Sequence, residues 1–326
     1  MSSGRNQAAL LLLTCLAACS RGDRESAESN RASSGASSSP LPSGTSSSAP
    51  FEGSTAPLAI LHLPGAEETL PPPIGDGLLP SAPPRPLSRC PQEMVDVRGE
   101  FCIDRYESSY VDARSGLALS PHYHPTRAQT KASYERYLRR ESRDTIAVPE
   151  PPAFQLESDP TPEARSLAGV LPQGYLSQEI AARACQAAGK RLCSLAEWVR
   201  ACRGEQNRKF PYGDQYREGA CNVFREVHPA ARLHGDASRE HLDPRLGLVS
   251  GERGPLLRRS GETLECRSAW GSDGVFDMVG NLDEWVADGG FSGGFFSRGT
   301  REGCDARITS HPPQYFDYSL GARCCR

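Results

Sequence analysis

The chain reads as an α+β protein: a loop-rich, disulfide-stapled single domain preceded by a disordered tether. Three observations predict this. Composition breaks at Cys90, from a Ser/Pro/Gly/Ala-rich stretch to a segment where aromatics, cysteines and apolar periodicity occur together and run on to Arg326. Two capped helices are legible within that segment, among short runs rich in Gly and Asp. Ten of the 12 cysteines also lie there, with no CxxC pair, which is the usage of an oxidised, exported protein rather than a cytosolic zinc protein.

The 326 residues carry 37 Lys+Arg against 40 Asp+Glu, a net charge of −3. That balance supplies no general attraction to nucleic acid or to an anionic bilayer. No apolar run reaches the ~18 residues of a membrane-spanning helix.

Residues 1–18 have the layout of an export signal. Arg5 provides the positive start, Ala8-Ala9-Leu10-Leu11-Leu12-Leu13 the short apolar run, and Leu16-Ala17-Ala18-Cys19 small residues directly before a cysteine. The last four resemble the bacterial lipobox. The resemblance implies cleavage before Cys19, lipidation of Cys19, and, with Ser20 rather than Asp in second place, an outer-membrane destination. An ordinary secretory signal cut after Ala18 is the alternative. Residues 19–88 form the tether, with runs such as Ser33-Ser34-Gly35-Ala36-Ser37-Ser38-Ser39-Pro40. Such a segment buries too little apolar surface to offset its chain entropy. Within it, Leu58–Leu63 has the composition of a transient strand.

The domain occupies residues 89–326. A helix is expected near Lys131–Arg143 and a surface loop over Pro149–Pro162. Ser177 is placed to cap a helix through Ile180, Ala184 and Ala188 that Gly189 stops. Ser194-Leu195-Ala196-Glu197 is a capping box. The buried stripe Leu195, Trp198, Val199 and Cys202 follows it, and Gly204 ends that helix.

Six blocks carry a family resemblance. Cys90-Pro91-Gln92-Glu93-Met94-Val95 leads into Phe101-Cys102-Ile103-Asp104-Arg105-Tyr106-Glu107. Ala188-Gly189-Lys190-Arg191-Leu192 with Glu197-Trp198 precedes Ala201-Cys202-Arg203-Gly204. Then come Phe210-Pro211-Tyr212-Gly213-Asp214 and Cys221-Asn222-Val223, the stretch from Gly274 to Trp285 with its Val279-Gly280-Asn281 turn, and Gly321-Ala322-Arg323-Cys324-Cys325. In this order they resemble the formylglycine-generating enzyme family, also called sulfatase-modifying factor. The resemblance implies one compact domain related to the C-type-lectin-like fold. It also implies structural calcium, held by Asp277, the carbonyls of Gly280 and Leu282, and Glu284. That is a hard-oxygen set suited to a hard cation. A second family ion falls on Asn222, Val223 and Asp236.

Active members of the family oxidise a substrate cysteine to formylglycine, using a copper(I) pair of cysteines five apart. Soft thiolates suit that metal. Here the corresponding stretch, Gly293 to Cys304, has one cysteine. One alignment makes Cys304 the first catalytic cysteine, with Thr309 in place of the second. The favoured one makes Cys304 a structural residue. Under either, the copper pair is incomplete and copper is not expected. The resemblance carries over the bridges Cys202–Cys304 and Cys185–Cys324, and Cys90–Cys102 reads as a local hairpin staple. Cys221–Cys266 and Cys193–Cys325 are a working assignment for the remainder, which spacing does not decide.

His122, His124, His228, His234 and His241 are read as scattered surface or loop residues rather than an iron site. Arg139-Arg140 and Arg258-Arg259 are read as solvated faces, with an acidic glycan as the other reading. The expected function is a membrane-anchored exported lipoprotein whose domain is a non-catalytic binding or structural module for a protein or glycan ligand, with no nucleic-acid partner. The alternative is an oxidoreductase of the same family, working through an altered metal-dependent site.

Overall fold

The computed structural model describes residues 89–298 and 301–326. The expected export signal, Cys19, the expected tether and the Leu58–Leu63 run lie outside the described residues. The described chain opens on a hairpin of β1 (Met94–Val97) and β2 (Phe101–Asp104), with Val95 across from Ile103. β3 (Ser108–Asp112) pairs antiparallel with β4 (Pro162–Ser166), and between them lie α1 (Arg127–Leu138) and α2 (Ala153–Glu157). Next come α3 (Gln178–Ala187), β5 (Arg191–Leu192), α4 (Leu195–Arg203) and α5 (Pro229–His234). Two hairpins follow, β6 (Ser250–Gly251) with β7 (Gly254–Pro255) and β8 (Arg267–Trp270) with β9 (Asp273–Phe276). β10 (Asp283–Trp285), β11 (Phe291–Ser292), β12 (Arg307–Ile308), β13 (Leu320–Ala322) and β14 (Cys324–Cys325) complete the series.

Two four-stranded sheets organise these pieces, in the orders β1-β2-β14-β5 and β12-β11-β10-β13. β13 and β14 are neighbours in sequence but belong to different sheets, so the C-terminal residues tie one sheet to the other. The end of β2 and the turn between α3 and β5 also meet through charge. Lys190 Nζ lies 2.7 Å from Asp104 Oδ1, with the lysine side chain 6% and the aspartate side chain 0% exposed.

α3 and α4 have the expected caps. The Ser177 side chain accepts from the Ile180 N–H, and the capping box of Ser194 and Glu197 is complete. Trp198 and Cys202 are buried, with Leu195 and Val199 partly buried against the same core. α1 departs from its expected Lys131–Arg143 range. It begins at Arg127 and stops at Leu138, has no side-chain cap, and buries only Thr130 and Tyr137. The Pro149–Pro162 loop contains α2, whose first residue follows Pro152, a residue with its φ already set for helix entry.

Five disulfides join Cys90–Cys102, Cys185–Cys324, Cys193–Cys325, Cys202–Cys304 and Cys221–Cys266. These are the pairs set out from the sequence. Cys324 and Cys325 are adjacent on a strand, so their side chains leave on opposite faces. One therefore reaches α3 and the other the residue after β5. Cysteines 193, 202, 221, 266, 304 and 325 all sit inside one buried cluster with Val95, Ile103, Trp198, Trp270 and Met278, so these bridges reinforce a core with little regular structure.

Candidate functional site

The turn joining β9 to β10 brings together the first set of expected residues. Asp277, Gly280 and Asn281 all have positive φ, at 57°, 85° and 59°. A side chain at Gly280 would place its Cβ 2.4 Å from the Asn222 carbonyl oxygen, so only glycine fits. Two asparagines lock the turn to the preceding loop. The Asn281 N–H donates to the Asn222 carbonyl at 3.0 Å, and Asn222 Nδ2 donates to Asn281 Oδ1 at 2.9 Å.

Three buried carboxylates surround this turn. Asp277 Oδ2 accepts the Gly261 N–H at 2.6 Å. Glu284 accepts from Trp198 Nε1 at 2.7 Å and from Arg323 at 2.7 and 2.6 Å. Glu107 accepts from Asn281 Nδ2 at 2.7 Å, the Leu282 N–H at 3.2 Å and Ser260 Oγ at 3.3 Å. Burial raises the pKa of Glu107 well above the ordinary carboxylate range, and the neighbouring Asp277 and Glu284 raise it further. Burial is also the main cause that pushes Asp277 up. Arg323, with no exposed surface, is the guanidinium inside the group, and it also donates to the Phe276 and Asp104 carbonyls.

Three buried acids against one buried guanidinium leave two carboxyls that either take up a proton, the direction in which Glu107 and Asp277 are shifted, or require a further cation. The donor chemistry is hard oxygen throughout, so these residues suit a calcium-like cation. Among the described residues no three His, Cys, Asp or Glu side chains converge as metal ligands would. The expected set has only two carboxylates, and carbonyls supply the rest. The sequence assigns no site role to Glu107 or Arg323, although both lie in blocks that carry the family resemblance.

The second expected set is placed differently. Asn222 is buried, and its Oδ1 accepts from Arg225 Nη1 at 3.2 Å. Asp236 has a 40% exposed side chain paired with Arg239 at 2.9 Å. Its other oxygen accepts from the backbone and hydroxyl of Ser238.

A second cluster lies at the glycine block that follows β11. A Cβ on Gly293 would fall 2.7 Å from the Met278 carbonyl, so the backbone approaches too closely for any other residue. The next N–H, of Gly294, donates to Asp283 Oδ1 at 2.9 Å, and Arg298 Nη2 donates to the same oxygen at 2.7 Å. Asp283 Oδ2 is buried without a hydrogen-bond partner among the described residues. Burial pushes this carboxyl up to about 7 although Arg298 pulls it down. Phe295 packs against Tyr318 with ring centres 5.7 Å apart, and Tyr318 Oη lies 3.2 Å from His228 Nε2. His228 and His241 have ring centres 6.4 Å apart. Burial lowers the pKa of His228, and His241 lowers it further.

The histidines are therefore less scattered than expected. His122 and His124 are buried at 8% exposure each, which corrects the surface reading for that pair. Both stand in the loop before α1, where aromatic and backbone groups cover them. His234 Nε2 lies 2.9 Å from Asp243 Oδ2.

Cys304 is bonded to Cys202, as the structural alignment of that residue requires. Thr309 is exposed, just past β12. A family model described as the sulfatase-modifying factor enzyme 1-like domain matches residues 81–292. The chain belongs to that family. The turn over residues 277–281 and the capped α4 lie within this match, the Gly293-Gly294 block begins one residue past its end, and the sulfatase-modifying factor domain accounts for the loop-rich architecture. The structure of PvdO from Pseudomonas aeruginosa is similar at 15% identity and TM-score 0.34, over 69% of this chain and 80% of that one. The crystal structure of CarF is similar at the same 15% and 0.34, over 69% and 85%. The Major Tropism Determinant U1 variant matches at 13% and 0.29, over 74% of this chain and 54% of that one. No curated protein matches the chain.

Proposed function

We propose that this chain is an exported protein, anchored to the cell envelope by lipid on Cys19, whose sulfatase-modifying factor domain binds a protein or glycan ligand and does not form formylglycine. The observation that carries this is the Cys202–Cys304 bridge. Cys304 is the one cysteine in the segment that supplies both copper thiolates in active relatives, and a disulfide sulfur has no thiolate to offer a metal. The other eight cysteines of the domain are bridged as well.

Calcium belongs to this reading as a structural ion. Asp277, Glu284 and the Gly280 and Leu282 carbonyls would hold it, and it would neutralise the surplus buried charge beside Glu107. The alternative, an oxidation through an altered site, is favoured by one observation. Arg298 lies in the block where active relatives carry their chemistry, and it holds Asp283 of β10, whose other oxygen is buried without a partner among the described residues.

The deciding experiment incubates the domain and a Cys-x-Pro-x-Arg peptide with and without copper(I), then follows thiol-to-aldehyde conversion by mass spectrometry. No conversion is expected. Conversion that disappears in Cys304→Ser would reverse the reading. Oxygen consumption lost in Asp283→Asn would favour the alternative.

A further inference from the structure

We propose that the Arg225 guanidinium is a tethered cation standing in the second of the two calcium positions implied by the family, so that this part of the domain is built without metal. The side chain of Arg225 is 3% exposed. Its Nη1 donates to Asn222 Oδ1 at 3.2 Å and to the Pro255 carbonyl at 3.3 Å, and its Nη2 donates to the Gly254 carbonyl at 3.1 Å. A side-chain amide oxygen and two backbone carbonyls are the ligand types a calcium loop uses, and here they converge on a guanidinium instead. The backbone holds Arg225 in place, since its N–H donates to the Phe296 carbonyl at 2.9 Å.

The acid that a divalent ion would need is elsewhere. Asp236 lies at the surface, engaged by Ser238 and Arg239. The acid nearest the guanidinium is Glu226, 3.6 Å from Arg225 Nε. Calcium at Asn222 would face a fixed positive charge within hydrogen-bond reach of the same oxygen, in a region where like charges are poorly screened. The planar fork satisfies three oxygens on its own, which its five donors and weak hydration allow in a buried position. The inference does not depend on the calcium reading of the Asp277 turn, because the two sites have separate ligands.

Calcium stoichiometry on the folded domain tests it, by equilibrium dialysis at saturating calcium. One ion per chain, or none, agrees with the inference. None would at the same time remove the calcium reading of the Asp277 turn, so the two can fail separately. Two ions per chain would overturn the inference. A second measurement uses hydrogen exchange on Arg225→Met, which keeps volume and loses the cation. Amides of Asn222 to Pro255 should exchange roughly tenfold to a hundredfold faster, as expected when buried carbonyls lose their donors. Exchange unchanged from wild type would also overturn the inference. If the variant does not fold, the wild-type stoichiometry decides.

Discussion

His124 shows how one buried side chain sets a pH response. Its Nδ1 accepts from the Thr126 N–H at 3.3 Å and lies 2.9 Å from Thr126 Oγ1, while its ring packs on Phe316 with centres 4.5 Å apart. Burial pushes its pKa down to about 4, and Arg183 pushes in the same direction. The unfolded chain therefore binds this proton near pH 6.5, while the folded chain does so only near 4. Between those values the unfolded state holds more protons, so stability falls as pH drops through the window, by up to about 3 kcal/mol at the acid limit. His122, also pushed down to about 4 by burial, adds a second loss in the same window. Asp283, pushed up to about 7, works the opposite way. The difference between wild type and His124→Asn isolates the imidazole. Asparagine keeps an acceptor for Thr126 without a titrating group, so its melting temperature should fall less between pH 7 and pH 4.5. Identical slopes would refute the assignment. The Asp277 turn makes a second residue-scale prediction. Calcium at about a hundred times its dissociation constant stabilises by ~2.7 kcal/mol. For a domain of this size, chelation should then lower the wild-type melting temperature by roughly 5–10 °C. Asp277→Asn retains an acceptor for Gly261 and should blunt that response. A wild-type melt unmoved by chelator would rule out calcium there.

At the scale of elements, α4 was legible because its start is written in local chemistry. Ser194 Oγ accepts the Glu197 N–H, Glu197 Oε2 accepts the Ser194 N–H at 2.9 Å, and Arg191 grips the same carboxylate at 2.6 and 2.7 Å. Arg191 and the Ser194 bonds hold the Glu197 pKa below its ordinary value, against the effect of burial. Ser194→Ala should cost about 1 kcal/mol. Thermal melts should show this as a drop of roughly 2–4 °C, and an unchanged melt would mean that the helix is held by its buried face and its bridge to Cys304, not by its cap. α1 was misplaced because nothing comparable marks it, being mostly polar and uncapped. The strands were largely illegible for a different reason. All those described are two to five residues long, and several pair across large separations, as β14 does with β2. Alternation needs a longer run than that to register. The site divides in the same way. Asp277 and Gly280 stand in the turn and Glu284 in the strand directly after it, all within one family block. Glu107 meets Asn281 across 174 positions, and Arg323 meets Glu284 across 39. No local pattern joins such partners; only the packing of the two sheets does.

For the molecule as a whole, the proposed anchor and the domain would have separate physical jobs, which makes their separation testable. Among the described residues no helix is long and apolar enough to cross a membrane. The large apolar side chains exposed there include Leu117, Leu138, Leu167, Phe224 and Leu264, drawn from different loops and elements, and isolated apolar residues of this kind are ordinary surface. Attachment would then rest on Cys19. Two or three acyl chains hold a protein on a bilayer where one chain binds only reversibly. The Ser/Pro-rich residues 19–88 contribute no comparable apolar surface. Cys19→Ala should therefore move the protein from the detergent-extracted membrane fraction to the soluble fraction of the cell envelope, with its thermal melt unchanged, because none of the five bridges uses that residue. Fractionation with a melting curve on each pool reads both effects. A variant that stays with the membrane while melting normally would mean that the domain carries its own attachment, through a lipid-binding face or a membrane partner. The anchoring role of Cys19 would then be lost, while the disulfide framework and the argument about Cys304 would stand.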